Sequence, residues 1–98
     1  MPLHVFLALA LLLPATALAQ QRVTAQGCPQ PGVEAGCLVL RTHDGKFFDL
    51  SMARPRPPMN GRGLRITGVV GERMSYCSQG AAVGELTWEP TATLCPGR

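Results

Sequence analysis

The stretch Leu38-Val39-Leu40-Arg41-Thr42-His43-Asp44-Gly45-Lys46-Phe47-Phe48-Asp49-Leu50 reads as two β runs joined by a tight turn. In the first run Leu38 and Leu40 point one way and Arg41 the other. In the second, Phe48 and Leu50 share a face, opposite Phe47 and Asp49. Asp44-Gly45 between them is a hairpin signal, because glycine accepts positive φ without steric cost and aspartate favours the turn. The spacing predicts strands over 37–42 and 47–51.

Working outward, residues 22–26 form a first β run with Val23 and Ala25 on one face. A Pro/Gly-rich loop over 27–36 follows, flanked by Cys28 and Cys37. On the carboxyl side, a loop over 52–63 contains Arg54-Pro55-Arg56-Pro57-Pro58, which favours extended polyproline geometry. A fourth strand is expected over 64–71 with Leu64, Ile66, Gly68 and Val70 inward, Gly68 marking a bend or bulge. A connector over 72–80 carries Tyr76 and Cys77. The fifth strand, 82–89, places Leu86 and Trp88 on one face, and Pro90 is expected to end it. The tail over 91–98 is expected to be irregular and docked by Leu94 and Cys95. No window beyond residue 19 sustains an amphipathic helix. Five short strands in so small a chain predict an all-β fold, a small five-stranded OB-like barrel, since closure removes exposed edges. Its expected core is Leu38, Leu40, Phe48, Leu50, Leu64, Ile66, Val70, Leu86 and Trp88.

The quoted hairpin, taken with Gly61-Arg62-Gly63-Leu64-Arg65-Ile66-Thr67-Gly68-Val69-Val70, resembles small exported bacterial OB-like domains of unknown function. Those read as an apolar-Leu-Arg-x-x-Asp-Gly hairpin, an aromatic-x-Leu strand and a Gly-x-x-Val-x-Val-x-Gly strand. Some carry a segment like Cys77-Ser78-Gln79-Gly80. The resemblance covers about residues 37–88. It implies a fold and an exported location, and it carries over no catalytic residues.

Composition agrees with export. Of the 98 residues, all nine Lys and Arg, all six Asp and Glu and all four Cys lie beyond Ala19. Val5 to Leu13 is an unbroken apolar run of signal-peptide length, too short to span hydrocarbon. Pro14 interrupts it, and Ala17-Leu18-Ala19 presents small residues for cleavage before Gln20. Met1-Pro2-Leu3-His4 departs from the pattern in lacking Lys or Arg. The expected organisation is a signal peptide over 1–19 and one small domain over 20–98, periplasmic or secreted, with no transmembrane segment after cleavage. A chain of this length excludes a large enzyme fold, a helical repeat array and a multi-span membrane protein.

In an oxidising compartment an even number of cysteines is read as disulfides. Cys28, Cys37, Cys77 and Cys95 contain no Cys-x-x-Cys pair, so neither a redox motif nor a zinc ribbon is suggested. The local pairing is Cys28–Cys37 with Cys77–Cys95. The long-range alternative is Cys37–Cys77 with Cys28–Cys95. In the OB topology that the resemblance implies, the loops after the first and fourth strands lie at one end. That brings Cys37 near Cys77 and raises the long-range pairing to near parity with the local one.

Catalytic constellations are weak. His43-Asp44 with Asp49 or Ser51 supplies triad residue types, but His43 falls in the turn, where it would be solvated. Neither an enzyme activity nor a metal or other cofactor is expected. The basic residues are more informative: between Arg41 and Arg73 the chain carries seven cations and three anions. By alternation Arg41, Lys46 and Phe47 face outward, and Arg73 and Tyr76 could border them, forming a candidate ligand surface. The expected function is a non-enzymatic binding module of the periplasm or cell envelope. Its ligand would be an anionic small molecule, a glycan or a protein, with nucleic acid disfavoured by export. The alternative is a structural or inhibitory envelope protein that docks a partner through the Pro/Arg-rich loop 52–63.

Overall fold

The computed structural model describes residues 20–71, 75 and 77–96. The expected signal peptide over 1–19, together with Arg73 and Tyr76, lies outside them.

Among the described residues the protein is all-β, with β1 at Gln21–Pro31, β2 at Leu38–Thr42, β3 at Phe47–Asp49, β4 at Arg62–Val70 and β5 at Ala81–Leu94. The five strands hydrogen-bond in the order β1-β2-β3-β5-β4, and β4 returns to β1, so the sheet closes in a ring. Strand β1 serves two neighbours in turn. Its residues Gln21 to Gly27 pair with β4, and Gly27 to Pro31 pair with β2. All pairings are antiparallel except β3 with β5, which meet in parallel at Phe48↔Ala81 and Asp49↔Ala82.

The hairpin forms where Asp44-Gly45 placed it. Gly45 has φ +88°, and its N–H donates to Thr42 O at 3.0 Å, while Thr42 N–H donates to Lys46 O at 2.9 Å. Gly68 also lies at an irregularity, but the extra residue is on β5. Thr67 pairs with Thr87 and Val69 with Gly84, and Glu85 takes φ +52° opposite the glycine. A Cβ on Gly68 would strike the Val83 side chain and the Gly84 carbonyl, so glycine leaves the room that the bulge occupies.

Two proline expectations are corrected. Strand β1 continues through Pro29 and Pro31 where a loop was expected, and β5 continues past Pro90 to Leu94. In both places one edge of the strand has no strand partner. Beyond Gly27, β1 pairs only with β2, and beyond Ala82, β5 pairs only with β4. Proline is tolerated at such edges because no ladder hydrogen bond has to be donated there.

The buried cluster is Leu38, Leu40, Leu50, Leu64 and Ile66, with Ala25, Phe48, Val83, Leu86 and Trp88 packed around it. Val70, expected inside, is half-buried and outside this cluster. Val39, outside the expected core, is fully buried on the opposite side of β2, beside Asp49 of β3. Cys37, two residues before it, is bonded to Cys77, which is itself buried.

The two disulfides are Cys28–Cys95 and Cys37–Cys77, the long-range pairing. Each closes a loop of tens of residues, 67 and 40 positions apart. A chain-entropy argument gives about 4 kcal/mol for each. Beside the second bridge lies Asp49, the one buried charged side chain among the described residues, at 7% exposure. Its Oδ1 accepts the Ser51 N–H and its Oδ2 accepts the Ser75 hydroxyl, both at 2.8 Å. The Ser51 hydroxyl bridges Leu38 of β2 to the Cys77 sulfur, 3.1 Å away. Burial pushes the Asp49 carboxyl up, but bonds from the Ser51 N–H and hydroxyl, the Ser75 hydroxyl and the Cys77 N–H outweigh it and hold the group below its usual 3.8.

Two outcomes follow from this node. Because the folded chain prefers Asp49 ionised, its contribution is complete above the unfolded value of 3.8 and is lost as pH falls through the lower folded value. Asp49→Asn is expected to cost about 1–3 kcal/mol at neutral pH and to flatten the acid limb of stability against pH, measured by denaturant titration. An unchanged acid limb would show that Asp49 does not supply it. Chain entropy alone ranks the longer Cys28–Cys95 loop slightly higher. Replacing Cys37 and Cys77 together by Ser should nevertheless lower Tm more than replacing Cys28 and Cys95, since only the first change also opens the Asp49 node. The reverse order would assign the stabilisation to loop closure.

Candidate functional site

The expected ligand residues separate in space. Arg41, at the end of β2, pairs with Cys28 of β1 on one side and Phe47 of β3 on the other, so these three share the outward row. Phe47 is half-buried: Gly80, at φ +78°, lies so close that a Cβ there would meet the Phe47 backbone. Lys46 is exposed in the hairpin, beside Asp44. The Asp44 carboxyl is held below its usual value mainly by the Thr42 hydroxyl, with the Lys46 charge adding to the effect.

Arg41 also lines a cleft of about 640 Å³. Its floor is β1 from Gln26 to Gln30 together with Arg41, Thr42 and His43, and its far wall is the chain from Thr91 to Pro96. The wall exists because β5 does not stop at Pro90. Leu64 pairs with Pro90 and Arg62 with Leu94, so β5 spends four residues where β4 spends two and bows away from the sheet. The bowed chain is then tied back, by Cys95 N–H to Gly61 O at 2.7 Å and by the Cys28–Cys95 bond. Lys46 and Phe47 do not line this cleft, whereas His43, Thr91, Thr93 and Leu94 do. Sequence reasoning missed the last three because it read the tail as irregular.

The remaining cations are mostly engaged. Arg54 donates to Ala53 O, Arg56 to Gly36 O at 3.1 Å and Arg62 to Thr91 O at 3.4 Å, and Arg65 pairs with Glu89. Arg22 pairs with Glu85 at 3.5 Å. Among the described residues the Arg41 guanidinium, which is exposed, makes no hydrogen bond or ion pair. Among the described residues the cleft lining contains one Arg, one His and no Asp or Glu.

The catalytic residue types do not assemble. His43 is exposed, Asp44 is engaged with Thr42, and Asp49 is buried at the other end of β3 against Ser51 and Ser75. Among the described residues no three His, Cys, Asp or Glu side chains gather to hold a metal ion. The Pro/Arg loop lies against the ring. Trp88 Nε1 donates to Pro55 O at 2.7 Å, Ala53 is 3% exposed and Pro57 is buried. Compared with protein-family models, curated proteins and solved structures, the chain matches none of them.

Proposed function

We propose that the protein is an exported, non-enzymatic binding module of the periplasm or cell envelope, built on an OB-like barrel. The ring order β1-β2-β3-β5-β4 with its single parallel contact supports the OB-like topology. The disulfides support folding in an oxidising compartment. The observation that carries the binding reading is the cleft against β1 and β2, with Arg41 on its lining. Its volume falls in the range of small-ligand sites, roughly 300–1,000 Å³.

Arg41 is the anion-binding residue of this proposal. Lys46 and Phe47 lie on the neighbouring surface, and Arg73 and Tyr76 are further candidates. The second reading, a structural or inhibitory role through loop 52–63, has less support. The Trp88–Pro55 bond and the burial of Ala53 and Pro57 turn part of that loop inward, although Met52 and Met59 are exposed at 58% and 49%.

The test is a titration of the disulfide-bonded protein, followed by amide NMR shifts, with pyrophosphate, a uronic-acid oligosaccharide and an acidic peptide as separate probes. Binding by at least one probe is expected to move the amides of residues 26–28, 30 and 41–43, and Arg41→Gln is expected to weaken it about tenfold. Shifts confined to loop 52–63 would favour the docking reading. Shifts that Arg41→Gln leaves unchanged would remove Arg41 from the site.

A further inference from the structure

We infer that the cleft takes a small monoanionic amphiphile, an organic carboxylate with an apolar body, with its head at Arg41 and its body against the wall from Thr91 to Pro96. The inference rests on the binding-module reading and names the ligand class that this lining fits.

Three observations carry it. The first is the charge balance: among the described residues Arg41 has no partner, and no carboxylate lines the cleft to compete for it. A guanidinium presents parallel N–H groups that match a carboxylate. The second is the wall. Leu94 is 74% exposed although it belongs to a strand, and beside it lie Pro96 and the half-buried Cys28–Cys95 bridge. Isolated exposed apolar residues are ordinary, but here the leucine faces a concavity that also holds an unpaired cation. The third is what the lining lacks. Among the described residues it has no Trp, Tyr or Phe, so these offer a sugar ring no aromatic face on which to stack. The hydroxyls and amides of Thr91, Thr93, Gln26 and Gln30 remain to hydrogen-bond a polar head or its retained water.

The geometry also makes the site rigid on both sides. The floor is paired strand, and the wall is held covalently at Cys95 and by the Cys95 N–H to Gly61 bond. A ligand therefore enters a shaped cleft rather than ordering a free tail, which reduces the entropy lost on binding.

The experiment compares octanoate, octan-1-ol and acetate on the disulfide-bonded protein by amide NMR shifts, with Arg41→Gln and Leu94→Ser alongside. Both side chains are exposed, so both variants should fold, and their amide spectra report whether they do. Octanoate is expected to shift the amides of residues 26–28, 30, 41–43 and 91–95 and to bind about tenfold more tightly than octan-1-ol. Arg41→Gln should remove that preference without altering octan-1-ol binding. Leu94→Ser should weaken octanoate and octan-1-ol alike, and acetate should bind weakly to every form. If octanoate fails to bind while pyrophosphate, the oligosaccharide or the peptide binds through Arg41, the amphiphile inference is overturned and the binding-module reading stands. If no probe of either set moves the cleft, both are overturned.

Discussion

Closure of the ring depends on its smallest contact. Strands β3 and β5 meet in parallel over two residue pairs, Phe48↔Ala81 and Asp49↔Ala82. Parallel pairing is slightly weaker per residue than antiparallel, and two rungs alone would fray. The surrounding chain supplies what the rungs cannot. Asp49 accepts hydrogen bonds from Ser51 on its own side and from Ser75 on the segment leading into β5. The Cys37–Cys77 bond ties the start of β2 to that same segment, and the Ser51 hydroxyl touches both Leu38 and the Cys77 sulfur. A buried carboxylate is costly unless its oxygens are satisfied, and here they are, so the charge fixes the register of the closing strands instead of disrupting them. Gly80 allows the approach, since any Cβ there would collide with Phe47.

Much of this fold was legible because it is local. The alternation in Leu38 to Leu50 and the Asp44-Gly45 turn lie within thirteen residues, and their pattern is steric. The prolines misled because a strand break and a free strand edge read alike in sequence. Pro29, Pro31 and Pro90 sit inside strands whose neighbours run out at those points, which only the pairing shows. Alternation puts Val39 on the side of Arg41, which a sheet with one covered face would leave to solvent. In this ring Val39 is buried all the same, on a strand whose start is bonded to the buried Cys77. Distance along the chain hid the disulfide pairing: both partitions were open until the ends of β1 and β5, and of β2 and the connector, were placed together.

The site was legible only in part. Seven cations between Arg41 and Arg73 look alike as letters, and what distinguishes Arg41 is that the other arginines among the described residues of this stretch are engaged elsewhere. Arg54, Arg56 and Arg62 cap backbone carbonyls, and Arg65 meets Glu89. Lys46 belongs to the turn, where it offsets the charge of Asp44. The alternation that put Arg41 and Phe47 on one face was sound, yet Phe47 is pressed against Gly80 and contributes to closure instead of to the cleft. The sequence clue to the far wall was Leu94 beside Cys95. An apolar residue next to a bridging cysteine is held wherever the bridge holds it, even where no core covers it.

The two disulfides therefore divide the work of the chain between its ends. Cys37–Cys77 acts where the ring is weakest and lies against buried groups. Cys28–Cys95 acts where β5 has already bowed away from β4, and it secures a surface wall more than a core. A wall made this way escapes the usual conflict in a small domain, where a cavity cut into the core removes scarce apolar contacts. The cleft instead lies between the outward row of β1 and β2 and a strap of polar and apolar side chains outside the Leu38–Ile66 cluster. Substitutions along that strap can alter the cleft without touching the leucines that hold the ring together. Changes at Asp49 or Cys77 would reach the cleft only by loosening the whole.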